Sequence, residues 1–527
     1  MAKFVLLVLV IYATSLLLQP HHVVVRAEQE VSSPTCSLLD AEEKDPALKE
    51  FTYDVGDGPK SFMAYVQPDV NTFYQSDSGY SRVEPKFNGL AGKFINMSNR
   101  HVDFYWESYK NGPAHLMRHY DPFSTGGTGT FPTHRFYFTP KDEPDNQLVT
   151  FVVGNYPDNI YVFDPYFVED DPIQTEKNLK EHLNEKERSQ YDKWTKTLLF
   201  NEQYSAFTGR SYLSNFDDNG PRTPTNHFMW RADYFGQEHW VTTKETHFER
   251  LPPSEELGRV TLNGSERILK ESEPRFLADY RVKDENNVPH DSMNMTLTVL
   301  SCAPRVFEIR NFLSEKEIDH IIEIAGGIKL SESTTGDVGS NSNGKNPDTK
   351  VERKTKVRTS KNSWVAREKS PILDAVYRRA ADLTRIDEAL MRTRSEEEIP
   401  EFDGKRSIAE TLQLVHYDPT QEYTAHHDFG YSHIDDNMQA ARFATILFYL
   451  NDEHDGLVGG ETAFPRYING KTFHDLKVKP EAGKAILFYD QLPDGNMDDF
   501  SQHSAKPVIR GEKWLINLWI WDPAYKA

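Results

Sequence analysis

Four short apolar runs near the C-terminal end constrain this chain more than any other feature. They are Leu412-Gln-Leu-Val-His-Tyr417, Ala444-Thr-Ile-Leu-Phe-Tyr-Leu450, Ala485-Ile-Leu-Phe-Tyr489 and Trp514-Leu-Ile-Asn-Leu-Trp519. Each is too short for a stable helix and rich in β-branched or aromatic residues, which predicts strands. Two amphipathic helical patterns precede them. One begins after Ser314, where Glu317 completes a capping box, and runs to Ala325; the other covers residues 371–393. Helices followed by a run of strands predict an α+β unit, a double-stranded β-helix (jelly-roll) barrel with flanking helices. We bound this unit at 303–527.

The remaining length, within a total of 527 residues, exceeds what one core organises and calls for further domains. From Phe51 to Phe167, short runs such as Val102-Asp-Phe-Tyr-Trp106 and Arg135-Phe-Tyr-Phe138 alternate with Gly, Pro, Asn and Asp clusters. This pattern predicts an N-terminal antiparallel β-sandwich over 51–167. Leu179, Leu183, Tyr191, Trp194 and Leu198 then recur at helical spacing, so 168–302 reads as a helical and irregular connector. Residues 331–346 carry almost no apolar side chains and read as disordered or as a mobile functional loop.

The N-terminus fits a signal peptide over 1–27, with Lys3 before an apolar run from Phe4 to Leu18 and small residues at Val25-Arg26-Ala27. The run falls short of the roughly 20 residues a membrane span needs; an uncleaved signal anchor is the alternative. A polar tail follows over 28–50. Three glycosylation sequons, at Asn96, Asn263 and Asn294, agree with a lumenal chain in the endoplasmic reticulum or secretory pathway. After signal cleavage no membrane association is expected. Cys36 and Cys302 are the only cysteines, and can form at most one bridge. The net charge of −21 repels phosphate backbones and excludes nucleic acid as a partner, whereas cationic proline-rich chains would be attracted.

With so little cysteine, any metal falls to His and Asp. Two imidazoles and one carboxylate form the site of non-haem iron oxygenases, and His-x-Asp places both side chains on one face of a strand. About three His-x-acid triplets are expected by chance from this composition. The chain has six: His101/Asp103, His119/Asp121, His247/Glu249, His416/Asp418, His426/Asp428 and His433/Asp435. His426/Asp428 lies just beyond a strand, with His503 and then Lys513 downstream. His416/Asp418 shares that downstream set, and spacing leaves it open.

Residues 303–527 resemble the catalytic domain of prolyl 4-hydroxylases, Fe(II)/2-oxoglutarate-dependent dioxygenases. The matching segments include Ala303-Pro-Arg-Val-Phe-Glu-Ile-Arg-Asn-Phe-Leu-Ser314, Val357-Arg-Thr-Ser360, Leu412 to Phe429, Arg442 to Leu450, Gly459-Gly-Glu-Thr462 and His503 to Trp514. The resemblance implies that His426, Asp428 and His503 ligate iron, and that Lys513 pairs with the distal carboxylate of 2-oxoglutarate. It implies that Tyr417, Thr462 and Trp519 line the co-substrate, that Tyr423 and Arg442 face the peptidyl proline, and that 331–360 is a lid. The implied reaction is 4-hydroxylation of proline in proline-rich or collagen-like chains. It consumes O2, decarboxylates 2-oxoglutarate to succinate and uses ascorbate. One departure is Trp521, where relatives often carry His. Asp428 disfavours a halogenase.

Residues 94–138 resemble the β domain of the von Hippel–Lindau tumour suppressor, through Asn96-Met-Ser98 followed by Trp106, and through Thr130 to Phe138. That implies a hydroxyproline ligand at Trp106, Thr130, His134 and Phe136. The alternatives to a prolyl hydroxylase are another 2-oxoglutarate oxygenase, such as a lysyl hydroxylase, or an inactive hydroxyproline-binding protein.

Overall fold

The computed structural model describes residues 45–75, 87–107, 112–214, 216–217, 220–221, 227–248, 259–262, 265–268, 292–333, 358–395, 397–400, 405–429, 439–469 and 474–523. The signal peptide, Cys36, Asn263, His433/Asp435 and most of the 331–360 loop lie outside the described residues. Among the described residues, no helix is long and apolar enough to cross a membrane.

The chain opens with a hairpin, β1 (Leu48–Tyr53) and β2 (Lys60–Tyr65). The sequence pattern places it in the sandwich, but Phe51, Tyr53 and Phe62 pack instead with Phe200, Tyr204 and Tyr212 from and beside a helix further on. The front unit proper has two sheets. Strands β3 (Leu90–Asn96), β4 (Val102–Glu107), β5 (Ala114–Tyr120), β6 (Ser124–Thr130), β7 (Arg135–Pro140), β8 (Val149–Val152) and β9 (Ile160–Phe163) assort as β6-β3-β9 and β5-β4-β7-β8. Phe94 and Tyr161 from one sheet meet Phe104, Phe136 and Phe138 from the other in a shared aromatic core. One pair, β3 with β9, is parallel rather than antiparallel.

The helical pattern after residue 171 resolves into α1 (Pro172–His182) and α2 (Glu185–Thr208). Asn184 and Glu187 cap α2 reciprocally, and Gly209 ends it in the left-handed conformation at φ 74°.

The barrel unit begins earlier in the chain than residue 303. Its main sheet contains β10 (Glu238–Thr243), β11 (Met293–Cys302), β12 (Arg305–Ile309), β13 (Ser331–Glu332), β14 (Lys361–Val365), β15 (Leu412–Tyr417), β17 (Gln439–Tyr449), β20 (Ala485–Tyr489) and β22 (Lys513–Pro523). The order is β10-β11-β12-β20-β17-β22-β15-β14-β13, antiparallel throughout. A second antiparallel sheet, β16 (Tyr423–His426), β21 (His503–Ala505), β18 (Thr462–Phe464) and β19 (Leu476–Val478), shares a core with the first through Tyr417, Tyr449, Phe464, Ile486 and Phe488. This is the jelly-roll predicted from the strand run.

On the other face of the main sheet lie α3 (Glu315–Gly326) and α4 (Pro371–Thr384). Ser314 and Glu317 form the expected capping box. Glu317 does more than cap. Fully buried Arg379 on α4 reaches it through two hydrogen bonds of 2.7 and 3.0 Å, and spends its remaining donors on the carbonyls of Phe312, Glu245 and Thr246. Arg379→Met would strand a buried carboxylate. We expect a loss of about 3–5 kcal/mol in a urea unfolding measurement; a loss under ~1 kcal/mol would show that this pair does not hold α3 to α4.

Two sequence expectations meet the structure differently. Asn96 is fully buried. Its amide donates to the Arg100 and Asp121 carbonyls and its Oδ1 accepts from Ser98, so the side chain closes a turn and does not present a glycan acceptor. Asn294 is exposed. Cys302 is buried in the main core and has no disulfide partner among the described residues, and burial pushes its pKa up.

Candidate functional site

His426 ends β16 and His503 begins β21, and the two are direct cross-strand partners. That pairing brings their rings to 4.4 Å between centroids. Asp428 follows two residues after His426. Its Oδ1 lies 3.6 Å from His426 Nε2 and its Oδ2 lies 3.5 Å from His503 Nε2. One ligand atom from each of the three residues falls within 4.8 Å of the others.

The tautomers are set by the backbone. His426 Nδ1–H donates to the Thr424 carbonyl at 2.8 Å and His503 Nδ1–H to the Ser501 carbonyl at 3.1 Å. Both Nε2 lone pairs are therefore left for a metal. Burial lowers the pKa of both imidazoles, which keeps them neutral as ligation requires. The Asp428 carboxylate is gripped from behind. Trp519 Nε1 donates to its Oδ2 at 2.8 Å and the Thr445 hydroxyl does so at 2.9 Å. Burial opposes ionisation, but the facing imidazoles, Arg442 and Trp519 hold the carboxyl below the usual range. Two neutral imidazoles and one ionised carboxylate are the donor set that suits Fe(II), with positions left over for a co-substrate.

Lys513 starts β22 and points into the jelly-roll core. It is 0% exposed, and its Nζ has no hydrogen-bond partner among the described residues. It sits over the rings of Tyr417 and Tyr449, 5.4 and 5.7 Å from their centroids. Burial pushes its pKa down to about 7. Close by, the Tyr449 hydroxyl donates to Thr462 Oγ1 at 2.7 Å. A buried amine without a partner, beside hydroxyls, fits an anionic ligand that is itself buried.

Tyr423 stacks on His426 at 3.5 Å and 19°, with the Arg358 guanidinium 4.7 Å from the Tyr423 ring centroid. Arg442 reaches the Asp428 carbonyl at 3.2 Å, lies 4.1 Å from the Trp519 ring and bonds Glu410 at 2.7 Å. Trp521 donates to the same Glu410 oxygen at 2.9 Å. At the position where relatives often carry His, this chain therefore has an indole that braces the Arg442 partner.

His416 faces away from this centre. It forms a separate group with Asp418 and Glu512, where Lys361 binds Asp418 at 2.8 Å. Sequence reasoning missed Thr445, Tyr449, Arg358 and Glu410. Thr445 and Tyr449 share one face of β17 by strict alternation, and that signal was available.

In the front unit, Thr130 Oγ1 lies 3.1 Å from His134 Nδ1, and the His134 and Trp106 rings are 5.8 Å apart. Thr130 is 0% exposed, however, and Phe136 stacks on Phe104 inside the core. Only Trp106 and His134 of that foursome reach the surface. Phe136 is buried as part of the aromatic core stripe, and Thr130 is enclosed where β6 pairs with Leu90 of β3.

Residues 412–521 match the 2OG-Fe(II) oxygenase superfamily. Over 240 residues the chain is 32% identical to probable prolyl 4-hydroxylase 3 of Arabidopsis thaliana, covering 43% of this chain and 73% of that protein. Over 235 residues it is 31% identical to prolyl 4-hydroxylase 2 of the same plant, covering 42% and 68%. Among solved structures, it is similar to the 2OG complex of the viral collagen prolyl hydroxylase from Paramecium Bursaria Chlorella virus-1. That similarity has 23% identity and a TM-score of 0.28 and covers 41% of this chain and 95% of that one. Jelly-roll, donor set and superfamily match together define a 2-oxoglutarate-dependent Fe(II) oxygenase. Within that class the chain belongs to the prolyl 4-hydroxylase family. Fe(II), 2-oxoglutarate and O2 come with the family, and ascorbate is typical of it.

Proposed function

We propose that this enzyme hydroxylates C4 of peptidyl prolines in proline-rich or collagen-like chains of the secretory pathway, with succinate and CO2 as co-products. The observation that carries the reading is the cross-strand pair His426/His503 with Asp428 between them, ten residues before a buried Lys513 whose Nζ has no hydrogen-bond partner among the described residues. Bound Fe(II), with O2 and 2-oxoglutarate, supplies the oxidising power for the C–H bond. The chain does the rest. His426, Asp428 and His503 hold the metal; Thr445 and Trp519 fix the carboxylate that binds it. Lys513 takes the distal carboxylate of the co-substrate as a compact charge, with Thr462 and Tyr417 alongside. Tyr423 and Arg442 face the peptide, and burial keeps water from the reacting atoms. The front unit offers Trp106 and His134 to the same peptide, and hydroxyproline-containing products compete there. A signal peptide, and entry to the endoplasmic reticulum, belong to this reading.

Incubation with Fe(II), 2-oxoglutarate, ascorbate and panels of proline and lysine peptides should give a one-oxygen mass gain on proline and stoichiometric succinate. A gain on lysine alone would replace this reading with a lysyl hydroxylase; no succinate and no gain on any peptide would remove the enzyme.

The lowered Lys513 pKa has a further consequence. In the empty site the amine is charged below about pH 7 and neutral above it. A carboxylate partner favours the ammonium, so co-substrate binding above pH 7 takes up a proton. Affinity for 2-oxoglutarate should then fall by up to about tenfold per pH unit above 7. Anaerobic titration calorimetry at pH 8, in buffers of different ionisation enthalpy, reads the proton directly; zero uptake would contradict the assignment.

A further inference from the structure

The front unit is welded to the barrel beside the iron ligands. Asp499, four residues before His503, accepts from the Ala91 N–H of β3 at 2.7 Å and from the Asn159 amide at 3.3 Å. The same carboxylate pairs with Arg466 at 2.5 Å and with His427, the neighbour of His426, at 3.2 Å. Strand β6 runs along this seam. A methyl group placed on Gly129 would lie 3.7 Å from Gln502 Nε2, and 3.9 Å from both the Ala425 carbonyl oxygen and His427 Nδ1. Ala425 and His427 flank one iron ligand and Gln502 precedes another.

From this seam a row of rings crosses the front unit. Phe87 meets Phe131 at 5.4 Å, Phe131 meets His134 at 5.4 Å, His134 meets Trp106 at 5.8 Å, and Trp106 stacks on His115 at 5.6 Å. The first four are half-buried and His115 is exposed. Phe131 is two residues from Gly129, so the row begins where the barrel ends. Its neighbouring charges, Glu107 and Arg135, neutralise each other at 2.6 Å. The seam also holds unspent hydrogen-bonding capacity. Gln502 is 1% exposed, yet its amide nitrogen and oxygen both have no partner among the described residues.

We infer that this aromatic row is a second substrate subsite, a track that holds a proline-rich stretch of the same polypeptide whose target proline lies at the iron. The occupant follows from chemistry. Pyrrolidine rings present flat apolar faces to aromatic side chains, and a polyproline II segment loses little conformational freedom on docking. The acidic surface of the chain, at −21 overall, suits a cationic proline-rich partner. Because Thr130 is enclosed and Phe136 is core, the row reads rings rather than the 4-hydroxyl, and accepts the chain before and after hydroxylation. Holding the chain there raises the effective concentration of successive prolines at the iron. The inference rests on the prolyl 4-hydroxylase reading for the identity of the substrate.

Equilibrium binding under anaerobic conditions tests the track without requiring turnover. Labelled proline-rich peptides of about six and about eighteen residues span about 19 and about 56 Å as polyproline II, so the longer one has about three times the reach from the iron site along the row. The short-to-long Kd ratio should be about ten or more for the native full-length chain. It should collapse toward one in Trp106→Ala and in Phe131→Ala; the second variant guards against loss of core packing in the first, and the ratio cancels any inactive fraction. An equal Kd for both lengths in the native chain would overturn the track. So would a ratio that survives both substitutions, or equal binding of a proline-free peptide of the same length and charge. Absence of hydroxylation with an intact, Trp106-dependent length effect would sink the enzyme reading alone.

Discussion

Asp428→Ala should reduce hydroxylation and peptide-stimulated succinate release by about a thousandfold or more, equivalent to several kcal/mol of barrier. The carboxylate lies 3.6 and 3.5 Å from the two imidazole Nε2 atoms, and no other acid among the described residues shares that cluster. Its loss removes one of three ligands and leaves the Trp519 N–H facing a methyl group, while the Thr445 hydroxyl keeps Asp490 Oδ2 at 3.0 Å as an acceptor. That orphaned donor should cost about 1–3 kcal/mol of stability, which a barrel with a core on each face of its main sheet can absorb. Circular dichroism should show a folded protein, while anaerobic Fe(II) titration should show binding weakened by at least ~10²-fold. A folded variant that still turns over would remove Asp428 from the metal site and reopen the comparison with Asp418.

The two carboxylates also show what the sequence could and could not decide. His416/Asp418 and His426/Asp428 have the same local pattern and share one downstream set. What separates them is register. His426 lies opposite His503, whereas His416 lies opposite Trp514 and Lys361. Pairing between distant strands is not written in either segment, so only the family resemblance could choose. The strands themselves were legible because their alternation is local. The same rule would have found β11, whose buried Met295, Leu297 and Val299 alternate with less buried neighbours, and so would have moved the barrel boundary back. Thr445 and Tyr449 were lost inside a run read only as apolar. The roles of Trp519 and Trp521 were not legible at all, since each indole meets a carboxylate about a hundred residues away in sequence. In the front unit, the period-2 pattern identified the strands. It could not show that β1 and β2 would leave them for α2, because that choice depends on the aromatic face a distant helix presents.

Lys513→Met should lower co-substrate affinity while raising the stability of the chain without co-substrate. The KM for 2-oxoglutarate should rise about 10²- to 10³-fold, because the distal carboxylate would enter a buried site with no counter-charge, a loss of about 3–4 kcal/mol. In the absence of co-substrate the same variant should be more stable than the native chain by about 1–3 kcal/mol. The native amine is completely buried, its Nζ has no hydrogen-bond partner among the described residues, and burial has pushed its pKa down to about 7 against the opposing charge of Glu461. Methionine fills a similar volume between Tyr417 and Tyr449 with nothing left unsatisfied. Steady-state kinetics with a saturating proline peptide read the first change, and urea unfolding without 2-oxoglutarate reads the second. A purely structural lysine would give the reverse, with stability lost and KM unchanged. Stability gained together with co-substrate affinity lost is the signature of a charge kept in the core for a ligand, held there against its own solvation so that the site is ready before the carboxylate arrives.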